Sequence, residues 1–255
     1  MKTIFVFIFL SILLITDGRV WRRKNQPRLQ KLIGPNDFDL LIFTQHWPET
    51  VCYTWKENSM NHTCNLPRDE EWTIHGIWPT QFHKVGPAYC NTSMHFDLQK
   101  LAPIQNDLET KWIDVENGTE PYSFWKHEWE KHGTCAVVIP EMNDEMKYFK
   151  KGLELLDQYD MKHVLAKANI LPGQEYLVKD ILNGVAKVLG KHCQVECVTN
   201  SKTQERYLFE IRICMDKKFN LVDCDNIADY PTNCARKKKV IYPGTVPALY
   251  SAIIV

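Results

Sequence analysis

Nine cysteines follow an apolar N-terminal leader, and that pairing restricts the fold more than any other feature of this 255-residue chain. Lys2 gives a charged start, Ile4 to Ile15 is apolar apart from Ser11, and Thr16-Asp17-Gly18 supplies small residues for cleavage. Residues 1–18 are therefore expected to be a secretory signal peptide. The run is too short to cross a hydrocarbon core of about 30 Å, and no later segment is apolar for long enough, so no membrane span is expected. In an exported chain nine cysteines imply disulfides with one thiol left over, and spacing alone leaves their pairing open. The paired Cys-x-x-Cys pattern of a structural zinc site is missing; Cys193 and Cys197 come nearest to it.

Beyond the leader remain roughly 230 residues, enough for one large domain with its own core. Residues 19–36, with Arg22, Arg23 and Lys24, read as a loosely held arm, and 37–255 as the single domain. Lysine and arginine together number 31 and so do aspartate and glutamate. A neutral chain cannot capture a polyanion by whole-molecule steering, so any nucleic-acid contact must be a local patch. Sequons at Asn61, Asn91 and Asn117 predict surface loops of a glycoprotein.

Phe38 to Trp47 is mostly apolar and rich in β-formers, which predicts a buried strand ending before Pro48. A second strand is expected from Trp72 to Trp78, stopped by Pro79. Strict alternation would put Thr73, His75 and Ile77 on one face, with Trp72, Ile74 and Trp78 on the other. Helical stripes follow: Leu98–Trp112, interrupted near Pro103; Met146–Leu156; and Leu177–Leu189, stopping at Gly190. Tyr207, Phe209, Ile211 and Ile213 alternate with Leu208, Glu210 and Arg212 in a late strand. Strands at both ends with helices between predict an α+β fold. The basic run Arg236–Lys239 reads as a solvated loop, and the apolar ending Ala248–Val255 is too short to span a membrane.

Two segments carry the chemistry: Trp72-Thr-Ile-His-Gly-Ile-Trp-Pro79 and Phe124-Trp-Lys-His-Glu-Trp-Glu-Lys-His-Gly-Thr-Cys135. With Ser123 as N-cap and Gly133 as stop, residues 124–132 are expected to be a short helix. On a regular wheel with His127 at zero, Lys131 falls near 40°, Phe124 near 60°, Glu128 near 100° and His132 near 140°. Trp125 and Trp129 lie beyond, as core anchors. An amphipathic helix needs only those tryptophans, not the His, Glu, Lys and His beside them. His127-Glu-Trp-Glu-Lys-His132 is one residue longer than the zinc motif His-Glu-x-x-His, and its histidines would diverge by about 140°, so no metal is expected. A lone histidine in an apolar strand is usually a satisfied core residue; His75 is set apart by Gly76, which allows close approach, and Trp78, which offers a stacking face. Two histidines with Glu and Lys suffice to cleave a phosphodiester without metal or cofactor.

At these residues the chain resembles the ribonuclease T2 family, secretory and lysosomal acid endoribonucleases. Both segments match the family's active-site motifs, and Gln45-His-Trp-Pro48 with Cys52 resembles its first strand. The resemblance implies a central antiparallel sheet flanked by helices and stapled by Cys52–Cys64, Cys90–Cys135, Cys197–Cys234 and Cys214–Cys224, with Cys193 or Cys197 competing for the last half-cystine. It implies His75 and His132 as the acid–base pair and Glu128 and Lys131 as stabilisers of the transition state. His127 would bind phosphate; Trp78, Phe124 and Gln45 would contact bases. The implied substrate is single-stranded RNA, cut through a 2′,3′-cyclic phosphate. DNA is spared because it lacks the 2′-hydroxyl. A monomer, an acidic optimum, and secretion or lysosomal residence are expected with it. Thr80 stands where many members have Asp, which leaves base preference open. The competing expectation is a secreted binding or signalling glycoprotein that keeps the scaffold without turnover.

Overall fold

The computed structural model describes residues 37–249; the expected leader, arm and last six residues lie outside them. In chain order the elements are β1 Leu40–His46, α1 Pro48–Asn58, β2 Thr63–Cys64, β3 Thr73–Thr80, a 3₁₀ segment Leu98–Ile104 and α2 Gln105–Lys111. Then come β4 Glu116–Asn117, α3 Ser123–Glu128, a π-helical turn Trp129–Gly133 and α4 Thr134–Ala136. After a 3₁₀ turn, Pro140–Met142, follow α5 Glu145–Tyr159, α6 Met161–Lys167, β5 Gln174–Leu177, α7 Val178–Leu189, β6 Gln194–Thr199, β7 Arg206–Met215, β8 Leu221–Val222 and β9 Lys239–Tyr242.

Seven strands form one sheet in the order β3-β1-β7-β9-β5, with β6 and β8 also pairing with β7; β2 and β4 form a separate ribbon. Pairing is antiparallel except for a brief parallel contact between β7 and β9. β1 is buried along its whole length because it lies between β3 and β7 under the helices. Pro48 starts α1 where its missing N–H is needed least. Gly190, in the left-handed region with φ 72°, ends α7 at the position its sequence predicts. Trp112, Tyr148 and Phe149 bring α2 and α5 together against the sheet, with Trp112 and Phe149 edge to face at 4.9 Å.

Three local expectations change. β3 runs through Pro79 to Thr80 instead of stopping; as an edge strand it loses no ladder bond there. Its register against β1 slips between Thr44 and Gln45, so that Thr44 faces Gly76 while Gln45 faces Ile74. His75 is the extra residue of this bulge, which breaks the expected alternation. Ile74 and Ile77 consequently both enter the core, while His75 and Trp78 remain half-exposed, their rings 4.9 Å apart.

The third change is in the helix that carries the second sequence motif. α3 starts at Ser123 after a left-handed Tyr122, so Ser123 is not its cap. The chain does not stop at Gly133 but widens into the π turn, where Thr134 N–H reaches Trp129 O, five residues back. Gly133 is helical; a Cβ there would come within 2.3 Å of the Trp129 ring, so glycine makes room for that indole.

Disulfides join Cys52–Cys64, Cys90–Cys135, Cys197–Cys234 and Cys214–Cys224 among the described residues, and Cys193 is a buried free thiol. Burial pushes that thiol up to about 12, so it is inert. Asn61, Asn91 and Asn117 are exposed, as are Arg236 to Lys239. Among the described residues no helix is long and apolar enough to cross a membrane.

Candidate active site

His75 and His132 arrive from different elements and meet over shared neighbours. The Trp78 ring lies 4.9 Å from that of His75 and 5.3 Å from that of His132. Glu128 lies between them, fully buried. One carboxylate oxygen accepts from Trp78 Nε1 at 2.9 Å, and the other stands 3.9 Å from His75 Nε2. Gly76 permits this: a Cβ there would fall 2.1 Å from Glu128 Oε2.

The π turn brings in the rest. Residues five apart share a face in such a turn. The rings of His127 and His132 are accordingly 6.3 Å apart rather than diverging as a regular wheel requires. The geometric objection to a metal therefore lapses, since donor atoms of His127, Glu128 and His132 lie within 4.8 Å of one another. Two contacts still speak against assigning an ion to them. Lys131 Nζ stands 3.4 Å from His127 Nε2, and the Glu128 carboxylate is engaged by Trp78 and His75.

The two rings sit in opposite electrostatic surroundings. Burial, reinforced by Lys131, His75 and His127, pushes His132 down to about 2, and its Nδ1 is buried without a partner. Burial also opposes charge on His75, but Glu210 and Glu128 outweigh it against the opposing Arg212, and the ring is held above its ordinary value. Burial raises Glu128 to about 7, despite His75, Trp78 and Lys131 pulling the other way. His127 is exposed beside Lys131, and its partial desolvation, then that ammonium, lower it.

Recesses open on both sides of the pair. One is lined by Phe124, His46, Thr54, Glu116, His127 and Phe209. The other is lined by Trp78, Thr80, Lys131, His132, Arg212 and Asp229. Phe124 and Trp78 thus fall one to each recess. Gln45 falls in neither. Its amide donates to Tyr159 O at 2.8 Å and accepts from Met161 N–H at 3.0 Å, which makes it a framework residue rather than a base contact.

Glu210 and Arg212 lie outside the matching motifs, and His46 lies inside one without a role assigned to it. Glu210 Oε1 accepts a 2.5 Å bond at His75 Nδ1. The sequence signal was a Glu and an Arg at alternate positions of an otherwise apolar strand. His46 lies beside His75 with ring centroids 5.3 Å apart; burial first, then His75, lowers it to about 3.

Comparison with known proteins agrees. The profile of the Ribonuclease T2 family matches residues 38–224. Ribonuclease Oy of Magallana gigas is 36% identical over 212 residues, spanning 81% of this chain and 97% of that protein. The crystal structure of human RNase T2 superposes with a TM-score of 0.64 at 31% identity, covering 81% of this chain and 98% of that one. RNase NT in complex with 5′-AMP gives a TM-score of 0.67 at 25% identity, covering 81% and 98%. The chain belongs to the ribonuclease T2 family and is an endoribonuclease of that family.

Proposed function

We propose that this endoribonuclease cleaves single-stranded RNA by transphosphorylation, with His132 as base and His75 as acid. His132 takes the proton of the 2′-hydroxyl, the 2′-oxygen attacks phosphorus, and His75 protonates the departing 5′-oxygen. A 2′,3′-cyclic phosphate results, open to later hydrolysis with the roles reversed. The observation that carries this reading is that both rings contact Trp78 and flank Glu128 while their surroundings favour opposite charge states. A neutral ring beside an ammonium is ready to accept a proton; a charged ring beside a carboxylate is ready to give one.

Lys131 offsets charge growing on the phosphorane, and His127 binds the phosphate beside it. With its proton held to about 7, Glu128 acts in mildly acidic solution as a neutral donor to a phosphoryl oxygen. Its ionisation and the loss of the His75 proton both lower activity as pH rises past neutrality, which places the optimum on the acidic side. Phe124 and Trp78 each stack one base, at about 1–3 kcal/mol per base. The leader and the four bridges suit the secretory route, with residues 37–255 working as one catalytic unit and Asn61, Asn91 and Asn117 carrying glycans. The test is purified protein with single-stranded RNA and chelator from acidic to alkaline pH, reading product ends. Cyclic phosphate termini and a bell-shaped profile are expected. Chelator-sensitive cleavage, or a rate rising steadily into alkaline pH, would remove the two-histidine scheme, and no cleavage at all would leave a binding scaffold.

A further inference from the structure

Glu210 has no part in that scheme, yet it is the carboxylate bonded to one of its two histidines. It lies in the middle of β7 with a relative exposure of 1%, beside Leu208 and Ile211, which are equally buried. A carboxylate in such a place is held there only by strong partners. Oε1 takes His75 Nδ1 at 2.5 Å, and Oε2 takes Arg212 Nε at 2.9 Å and Nη2 at 2.6 Å. Arg212 is itself fixed: Nη1 reaches Gln194 Oε1 at 3.3 Å and lies 3.7 Å from Glu196, while the guanidinium packs 5.2 Å from the Trp78 ring centroid. His75 and Glu210 stand on strands that are not neighbours, since β1 runs between β3 and β7. The bulge at His75 lets the ring reach across β1 to this carboxylate.

We propose that Glu210, clamped by Arg212, is a positioning residue of the reaction, fixing the His75 ring and its Nδ1 proton so that Nε2 presents the proton to the leaving oxygen. This rests on the reading of His75 as the acid. The logic is that of any carboxylate behind a catalytic imidazole: it selects the tautomer, orients the ring and favours the imidazolium. Other groups face His75 as well. Glu128 adds to the same effect from α3 when ionised; Arg212 opposes it from β7; His46 on β1, His127 on α3 and His132 in the π turn oppose it when charged; Glu116 on β4 is a more distant acidic neighbour. Glu210 is the one bonded to the ring directly.

Glu210→Gln is the discriminating variant, because the amide oxygen still accepts from Nδ1–H while the negative charge is gone. Both kcat and KM for a short single-stranded RNA are measured from pH 4 to 9 in wild type and variant. In parallel the His75 ring is titrated by NMR and folding is checked by circular dichroism. The His75 midpoint and the alkaline limb of kcat are expected to move together to lower pH by about one unit or more, with KM within about twofold. Glu210→Asp, which keeps the charge, restores part of that limb. An unmoved His75 midpoint in Glu210→Gln overturns the proposal, and so does a uniform fall in kcat with unchanged pH limbs. Should wild type fail to cut RNA, the reaction assignment falls, and the NMR midpoints still decide whether Glu210 controls the ring. If Glu210→Gln does not fold, the Glu210→Asp midpoint decides: no change from wild type in either midpoint or limb, with the bond lengthened, counts against the coupling.

Discussion

The strand that carries His75 and the wide helical turn that carries His132 meet at one indole, yet they set two imidazoles among groups of opposite charge. Behind His75 lie Glu210 and Glu128; beside His132 lie Lys131 and His127. The means of support differ too. His75 is fixed by sheet pairing, by a bulge and by Trp112 Nε1, which donates to its carbonyl at 3.0 Å. The turn that presents His132 is fixed by side chains and a staple: the Trp129 indole folded over Gly133, and Cys135 bridged to Cys90 immediately downstream. The proposed acid and base are thus set apart by neighbours that neither motif contains in full.

Removing either ring breaks the contrast most directly. His75→Ala and His132→Ala should each lose about 10²–10⁴-fold in kcat, with the double variant little worse than the poorer single one. A role that survives in both variants would not be catalytic. Replacing Cys90 and Cys135 together should lower stability by about 4 kcal/mol, from the entropy of a loop of 45 residues, in denaturant unfolding. It should disturb the His132 signals while leaving those of His75 in place. Lys131→Ala should cost about 10²-fold in kcat. Because the ammonium pushes His132 down, its loss lets that ring rise, and the acid limb of the profile moves to higher pH. Smallest is a control outside the site. Glu49 is a buried carboxyl with one oxygen unpartnered, and burial raises it to about 7, with Glu70 adding to the effect. A raised carboxyl weakens the fold as pH climbs from its unfolded value through its folded one. Glu49→Gln should therefore match wild type near pH 4 and exceed it by about 1–3 kcal/mol at pH 8, read as a denaturation midpoint. An equal gain at both pH values would show that ionisation is not the cause.

Much of the scaffold is legible residue by residue. Apolar alternation marks β7, an unbroken apolar run marks β1, and the stripe ending at Gly190 marks α7. The candidate catalytic groups are legible because His, Glu and Lys beside two tryptophans have no place in an ordinary core helix. What the sequence hides is whatever depends on partners distant in the chain. A bulge at His75 arises from pairing with β1 and inverts the faces beyond it. The π turn depends on how Trp129 packs over Gly133, and a regular wheel misplaces His132 without it. Gln45 lies in a matching motif yet spends its amide on the α5–α6 junction. Glu210 sits 135 residues from His75 and looks like one polar position in a strand.

Nuclear magnetic resonance titration of the His75 and His132 rings in the folded wild-type protein tests the central contrast without reference to turnover. His75 should retain its proton past pH 6.5, and His132 should remain neutral well below it. Two rings titrating together, or His132 taking its proton first as pH falls, would contradict the assignment of acid and base.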